Sequence, residues 1–189
     1  QYSLIFKKKA KETKKSSGNY PLSGKVKVDE LLIGGPEKAK RCQNKGEKKL
    51  VVIAVEKVKD NKIGRAYAQV IEQASAQCFK PFFKERIDSD NAKVFTDGWR
   101  GYWPLESEFE IKQKPSRGGK SFPGLHAVIM NLKGWLRGIH HHCSARFING
   151  YLDEFFFRFN RRNFLPSIWH KLIERFMINQ PYSYKANAT

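Results

Sequence analysis

An α/β domain, with a mixed five-stranded sheet, flanking helices and a helical C-terminal tail, is the fold class the sequence predicts. Two patterns predict it. Residues 25–113 alternate between short β-type runs and one helix-like stretch, whereas everything beyond residue 124 carries helical periodicity. Composition agrees: 40% hydrophobic residues, 13% of the chain aromatic, are enough to bury a core and exclude wholesale disorder.

Taken in order, residues 1–24 hold a lysine run and then turn formers, without periodicity, and are expected to form a basic linker or arm. KVKVDELLIGG, from Lys25, is β-branched and alternating and stops at Gly34 and Gly35, which predicts a strand and a glycine turn. A polar loop leads to the apolar run KLVVIAVEKV (49–58), and RAYAQVI (65–71) alternates as a third strand, so three strands form a meander. SAQCFKPFFKERI (75–87) is helical, with Pro81 marking a kink or a first turn. AKVFTD (92–97) is a short strand ending in an acid, GWRGYWPL an aromatic loop or short helix, and FEIKQ (109–113) a weak fifth strand. PSRGGKSFPG (115–124) is expected to be flexible. Three amphipathic helices follow over 125–139, 144–162 and 166–178, the last started by Pro166 and Ser167. This order fits a ribonuclease-H-like mixed five-stranded sheet, and other mixed sheets fit it too. The expected organisation is an arm over 1–24, a folded domain over 25–178 and a tail over 179–189.

With 36 Lys+Arg against 18 Asp+Glu, the formal charge is +18 and the pI about 9.9. A polyanion is the natural partner, because each cation that neutralises a phosphate releases a condensed counterion. No apolar run approaches the roughly 20 residues of a bilayer span, and the start lacks the order of a signal peptide, so a cytoplasmic protein is expected, without membrane. Cys42, Cys78 and Cys143 are widely spaced, odd in number and form no C-x-x-C, which predicts reduced thiols. The opening glutamine and the basic arm suggest the C-terminal part of a longer protein.

Asp29 falls within the first predicted strand and Asp97 at the end of the fourth. Two carboxylates from neighbouring strands suit Mg²⁺ or Mn²⁺, which take oxygen ligands and activate attacking and leaving oxygens. The competing reading of Thr96-Asp97-Gly98 is a simple turn. On the helix over 125–139, His126, Asn131 and Lys133 are candidates. At 100° per residue, Lys133 lies about 20° short of two full turns from His126, so these share a face, whereas Asn131 sits about 140° away. His140, His141, His142 and Cys143 are adjacent residues at a helix end, which point in different directions; helix capping is the favoured role over zinc binding.

VDELLIGG, LVVIAVE, FTDGWRGY, HAVIMNLKGWLRGIHHH and YLDEFFFRFNRR are the motifs that stand out, and over about residues 22–178 the chain resembles the insertion-sequence transposases of the DDE superfamily, in their ISXO-like branch. The resemblance implies a ribonuclease-H-like core that cuts and rejoins double-stranded DNA, at transposon ends and target, with a divalent metal. It implies Asp29, Asp97 and His126 as metal ligands and catalytic residues, with Lys133 as the helix lysine from which His126 is counted back seven positions. Histidine departs from the superfamily's glutamate, and Asn131, 34 positions after Asp97, competes for the same role. Homo-oligomers and nucleoid association belong to the same expectation, as does an N-terminal zinc-ribbon and helix-turn-helix region, which this chain does not display.

In YLDEFFFRFNRR, Tyr151, Phe155 and Phe159 form an apolar stripe, and Asp153 or Glu154 can pair with Arg158 or Arg161; this structural reading is favoured over phosphate contacts by Arg158, Arg161 and Arg162. Trp99, Tyr102 and Trp103 read as core or rim packing rather than base-stacking groups. Two other functions compete with the transposase: a catalytically decayed or recruited basic DNA-binding module, and an RNA-binding basic protein.

Overall fold

In the computed structural model the described residues are 20–34, 48–58, 62–115, 121–139, 147–163 and 168–178. The expectations for residues 1–19 of the arm, for Cys42, for His140, His141, His142 and Cys143, for Pro166 and Ser167, and for the tail over 179–189 lie outside them.

The strands are β1 (Leu22–Ile33), β2 (Lys49–Lys57), β3 (Ile63–Ile71), β4 (Ile87–Thr96) and β5 (Glu110–Gln113), in the order β3-β2-β1-β4-β5. The helices are α1 (Ala76–Arg86), α2 (Pro123–Ile139), α3 (Ile148–Phe159) and α4 (Ile168–Ile178), and Arg100–Ser107 forms a 3-10 helix. The meander β1-β2-β3 is antiparallel, whereas β4 and β5 are added parallel to β1, so the sheet is mixed and has the ribonuclease-H-like order. The fold class expected from the sequence is the one observed.

Strand alternation sorts side chains onto two faces. Val26 and Val28 of β1 and Val52 and Ala54 of β2 pack with Phe79, Phe82 and Phe83 of α1 and with Tyr102. Leu31 and Ile33 of β1 and Val51, Ile53 and Val55 of β2 pack instead with Leu125, Val128 and Leu132 of α2 and with Ile148, Leu152 and Phe156 of α3. Covered on both sides, β2 reads as an unbroken apolar run.

Several boundaries differ from expectation, each for a local reason. β1 starts at Leu22 rather than Lys25, because Leu22 is fully buried against the α1 layer. β4 begins at Ile87, five residues ahead of the expected start, since Asp88 Oδ1 accepts the N–H groups of Asp90 and Asn91 and loops the chain out between the Leu22–Ile87 and Gly24–Ala92 pairs. Pro81 sits inside α1 rather than in its first turn. In the segment expected to be flexible, residues 116–120 lie outside the described residues, but Phe122 is buried in the α2 layer and Pro123 opens α2, where a missing N–H costs nothing.

α3 ends at Phe159, earlier than its pattern suggested, and the turn that follows serves the sheet. Asn160 Oδ1 accepts the Ala66 N–H at 2.8 Å and its Nδ2 donates to the Ala66 carbonyl at 2.9 Å. Asn149 Oδ1 accepts the Val70 N–H at 3.1 Å, and Arg162 donates to the Gly64 carbonyl at 3.2 Å. β3 is an edge strand, and these side chains occupy backbone groups that would otherwise template another strand. Glu154 pairs with Arg158 at 2.7 Å and Phe155 stacks on Phe159, so this segment works as structure, as its stripe suggested.

Candidate active site

The parallel pairing of β1 with β4 sets the site. Its register runs from Val26–Val94 to Lys27–Phe95, so two residues further along Asp97 comes level with Asp29. β4 stops at Thr96, and Gly98, at φ +97°, turns the chain in a conformation that favours glycine. One oxygen of Asp97 accepts the Trp99 N–H at 3.1 Å. The aspartate therefore shapes the turn and at the same time stands beside the neighbouring acids.

Single carboxylate oxygens of Asp29, Glu30 and Asp97 lie within 4.8 Å of one another, each side chain half-buried. Oxygens bound at about 2.1 Å to one octahedral ion stand about 3 to 4 Å apart, a spacing comparable with that of these carboxylates, and an all-oxygen set suits Mg²⁺ or Mn²⁺. The residues present thus fit a hard divalent cation.

Electrostatics mark the same corner. Burial raises the Asp29 carboxyl above its ordinary range; the Glu30 N–H, donating at 2.9 Å, draws it back, the Asp97 charge raises it and His126 lowers it. Glu30 is pushed from 4.5 to about 7, chiefly by burial and further by Asp97 and Asp29, while the Tyr102 hydroxyl, which donates to its Oε1, holds it back. Tyr102 is fully buried and stacks on Phe79 with ring centres 4.5 Å apart. Its phenol is raised well above the ordinary value, first by burial and then by Glu30. The fully buried Thr96 hydroxyl, next to Asp97, has no hydrogen-bond partner among the described residues.

The other expected residues lie on α2. Its buried stripe is Leu125, Val128, Ile129, Leu132 and Leu136. His126 in the first turn and Lys133 two turns on both flank that stripe and are half-buried, and His126 is near enough to bear on the charge of Asp29. Asn131 falls on the opposite flank and is exposed. Of the aromatic trio, Tyr102 is core, while Trp99 and Trp103 are each about half exposed on the rim.

Sequence reasoning passed over Glu30 and Tyr102. Alternation assigns Glu30 to the face opposite Asp29, and only the ending of β4 at Thr96 opens that side of β1 to it. The available signal was a second acid directly beside Asp29 and just ahead of the apolar run Leu31–Ile33, in Val28-Asp29-Glu30-Leu31. Cys78 is a free thiol, and among the described residues no helix is long and apolar enough to cross a membrane.

No curated protein and no solved structure matches the chain. A family model does: residues 21–160 match the ISXO2-like transposase domain, a span that runs from the start of β1 through the edge clamp at Asn160 and contains every acidic residue of the site, and the chain belongs to that family.

Proposed function

We propose that this domain cuts and rejoins double-stranded DNA at insertion-sequence ends by metal-dependent phosphodiester chemistry. The observation that carries the reading is the convergence of Asp29 and Asp97, from separate strands, to within the reach of one divalent cation. Family membership and the +18 charge support it, the latter because a duplex offers a dense row of phosphates.

In this reading Asp29 and Asp97 hold the ion, and His126 is the third ligand. The half-burial of His126 and its influence on Asp29 favour it over the exposed Asn131. When bound, a divalent ion of this kind lowers the pKa of an attacking oxygen and stabilises a leaving one. Lys133, on the same flank of α2 as His126, holds a phosphate of the strand and keeps it in register with the carboxylates. The domain acts in the cytoplasm, on the nucleoid. Self-association belongs to the proposal, because joining two ends requires two sites; the exposed row of Trp169, Ile173 and Met177 on α4 supports it.

The test is nicking of supercoiled DNA with Mg²⁺ or Mn²⁺. Wild-type cleavage stops on chelation, and Asp97→Asn loses about a thousandfold in rate, or about 4 kcal/mol of barrier, while its unfolding transition is retained. Undiminished cleavage in that variant defeats the proposal. A second reading, a basic DNA-binding module without catalysis, is favoured by one observation: the position read as the third ligand carries His126 in place of the superfamily's glutamate. It predicts salt-sensitive DNA binding indifferent to chelation, with no nicking.

A further inference from the structure

We propose that Glu30 supplies a third carboxylate oxygen to the cation held by Asp29 and Asp97, and that Tyr102 is the residue that positions it. This rests on the metal-dependent reading above.

The geometry requires an account of why three carboxylates stand so close. Their oxygens lie within 4.8 Å of one another, and no salt bridge to Asp29, Glu30 or Asp97 occurs among the described residues. Carboxylates this close repel one another when ionised, and a cation bound between them relieves that repulsion. Glu30 is not left to find its own position. Tyr102 is fully buried, its ring lies 4.5 Å from Phe79 at an interplanar angle of 7°, and its hydroxyl donates to Glu30 Oε1. A hydroxyl on a ring clamped in this way holds the carboxylate in one orientation and leaves the second oxygen for the ion. Asp29 and Asp97 alone offer two carboxylates; Glu30 adds a third hard oxygen donor to the set. Beside Asp97 in the chain, the Thr96 hydroxyl is fully buried and unpartnered among the described residues.

The experiment is Mn²⁺ titration of the full chain, followed by the electron paramagnetic resonance signal of the free ion, with thermal unfolding of the metal-free proteins alongside. Glu30→Gln preserves the shape and the acceptor for Tyr102; it is expected to weaken Mn²⁺ about tenfold or more without lowering the metal-free Tm. Tyr102→Phe removes only the hydroxyl and is expected to weaken Mn²⁺ several-fold, short of the Glu30→Gln loss. If Glu30→Gln binds Mn²⁺ like the wild type while Asp97→Asn has lost it, this inference fails and the two-aspartate site stands. If Tyr102→Phe alone keeps wild-type affinity, the positioning role fails. Should the wild type bind no Mn²⁺, or Asp97→Asn bind it equally well, the metal-dependent reading itself is overturned.

Discussion

Glu30 and Glu56 lie on adjacent strands of one sheet and both are largely withdrawn from solvent, yet their surroundings are opposite. Glu56 receives the Arg65 side chain on both oxygens, at 3.1 and 3.3 Å, the Arg65 N–H at 3.2 Å and the Ser23 N–H at 3.1 Å. Burial pushes its carboxyl up, but these donors outweigh burial and leave it below the ordinary value. Arg65 in turn donates to the Tyr20 and Pro21 carbonyls and ties the entry of the chain to β3. Glu30 faces Asp29 and Asp97 and is raised to about 7. One glutamate is neutralised from within the chain; the other, in the reading proposed above, is neutralised by a bound cation. Partnering, more than burial, separates the two acids.

The sharpest way to break that comparison is to remove both charges. Glu56→Ala strands the Arg65 guanidinium, and because Arg65 is itself about a third exposed the cost is set at the low end for a broken buried pair, about 3 kcal/mol in urea unfolding. Glu30→Gln in metal-free protein relieves repulsion and is expected to cost nothing or to stabilise. Equal losses in the two variants would erase the distinction.

A second way uses pH. Glu30 holds its proton in the folded chain up to about 7, whereas the unfolded chain releases it near 4.5. Between those values the folded state binds more protons, so its contribution is complete below 4.5 and is lost as pH rises through the window. The expected loss is about 2 kcal/mol, allowing for partial exposure, measured as urea midpoints in chelator from pH 4.5 to 7.5 and absent in Glu30→Gln. Glu56 runs in the opposite sense: its folded value lies below the ordinary one, so its stabilisation is present at neutral pH and fades as acidification passes through the folded value. A Glu30→Gln protein with the same slope as the wild type would assign the loss to other groups.

The contrast also explains what could be read in advance. β2 was legible because a strand covered on both faces carries an unbroken apolar run, here residues 50–55, and the stripe of α3 because a helix with one buried face must repeat. Asp29 and Asp97 were legible as strand residues and could be paired on the condition that their strands are neighbours, but their closeness depends on the parallel register of β1 and β4, which no local pattern encodes. Glu30 was hidden by the alternation rule itself, since its access follows from where a neighbouring strand stops. Tyr102 looked like one of three loop aromatics, and only packing against Phe79 distinguishes it from the rim residues Trp99 and Trp103. His126 and Asn131 were separated by helical phase alone, and their different exposures follow that phase.

Asn160 sharpens the comparison at its smallest scale. Like Glu56 it is a polar side chain wholly matched within the chain, accepting from and donating to Ala66, whose residue surface is fully buried. Asn160→Ala leaves an N–H and a carbonyl of an edge strand without partners where water reaches poorly, an expected loss of about 1–2 kcal/mol. Water admitted by the smaller side chain would bring the cost towards the lower figure. Hydrogen exchange distinguishes this from a general loosening: the Ala66 and Val70 amides sit on the outer edge of β3, and Asn160→Ala should expose Ala66 selectively while Val70, held by Asn149, keeps its protection. Because this clamp lies at the edge strand β3 and the acids lie between β1 and β4, Mn²⁺ affinity should not change. A variant that loses metal binding along with Ala66 protection would mean that the edge and the site are one cooperative unit, and that self-matched and outward-facing polar groups are not separable in this fold.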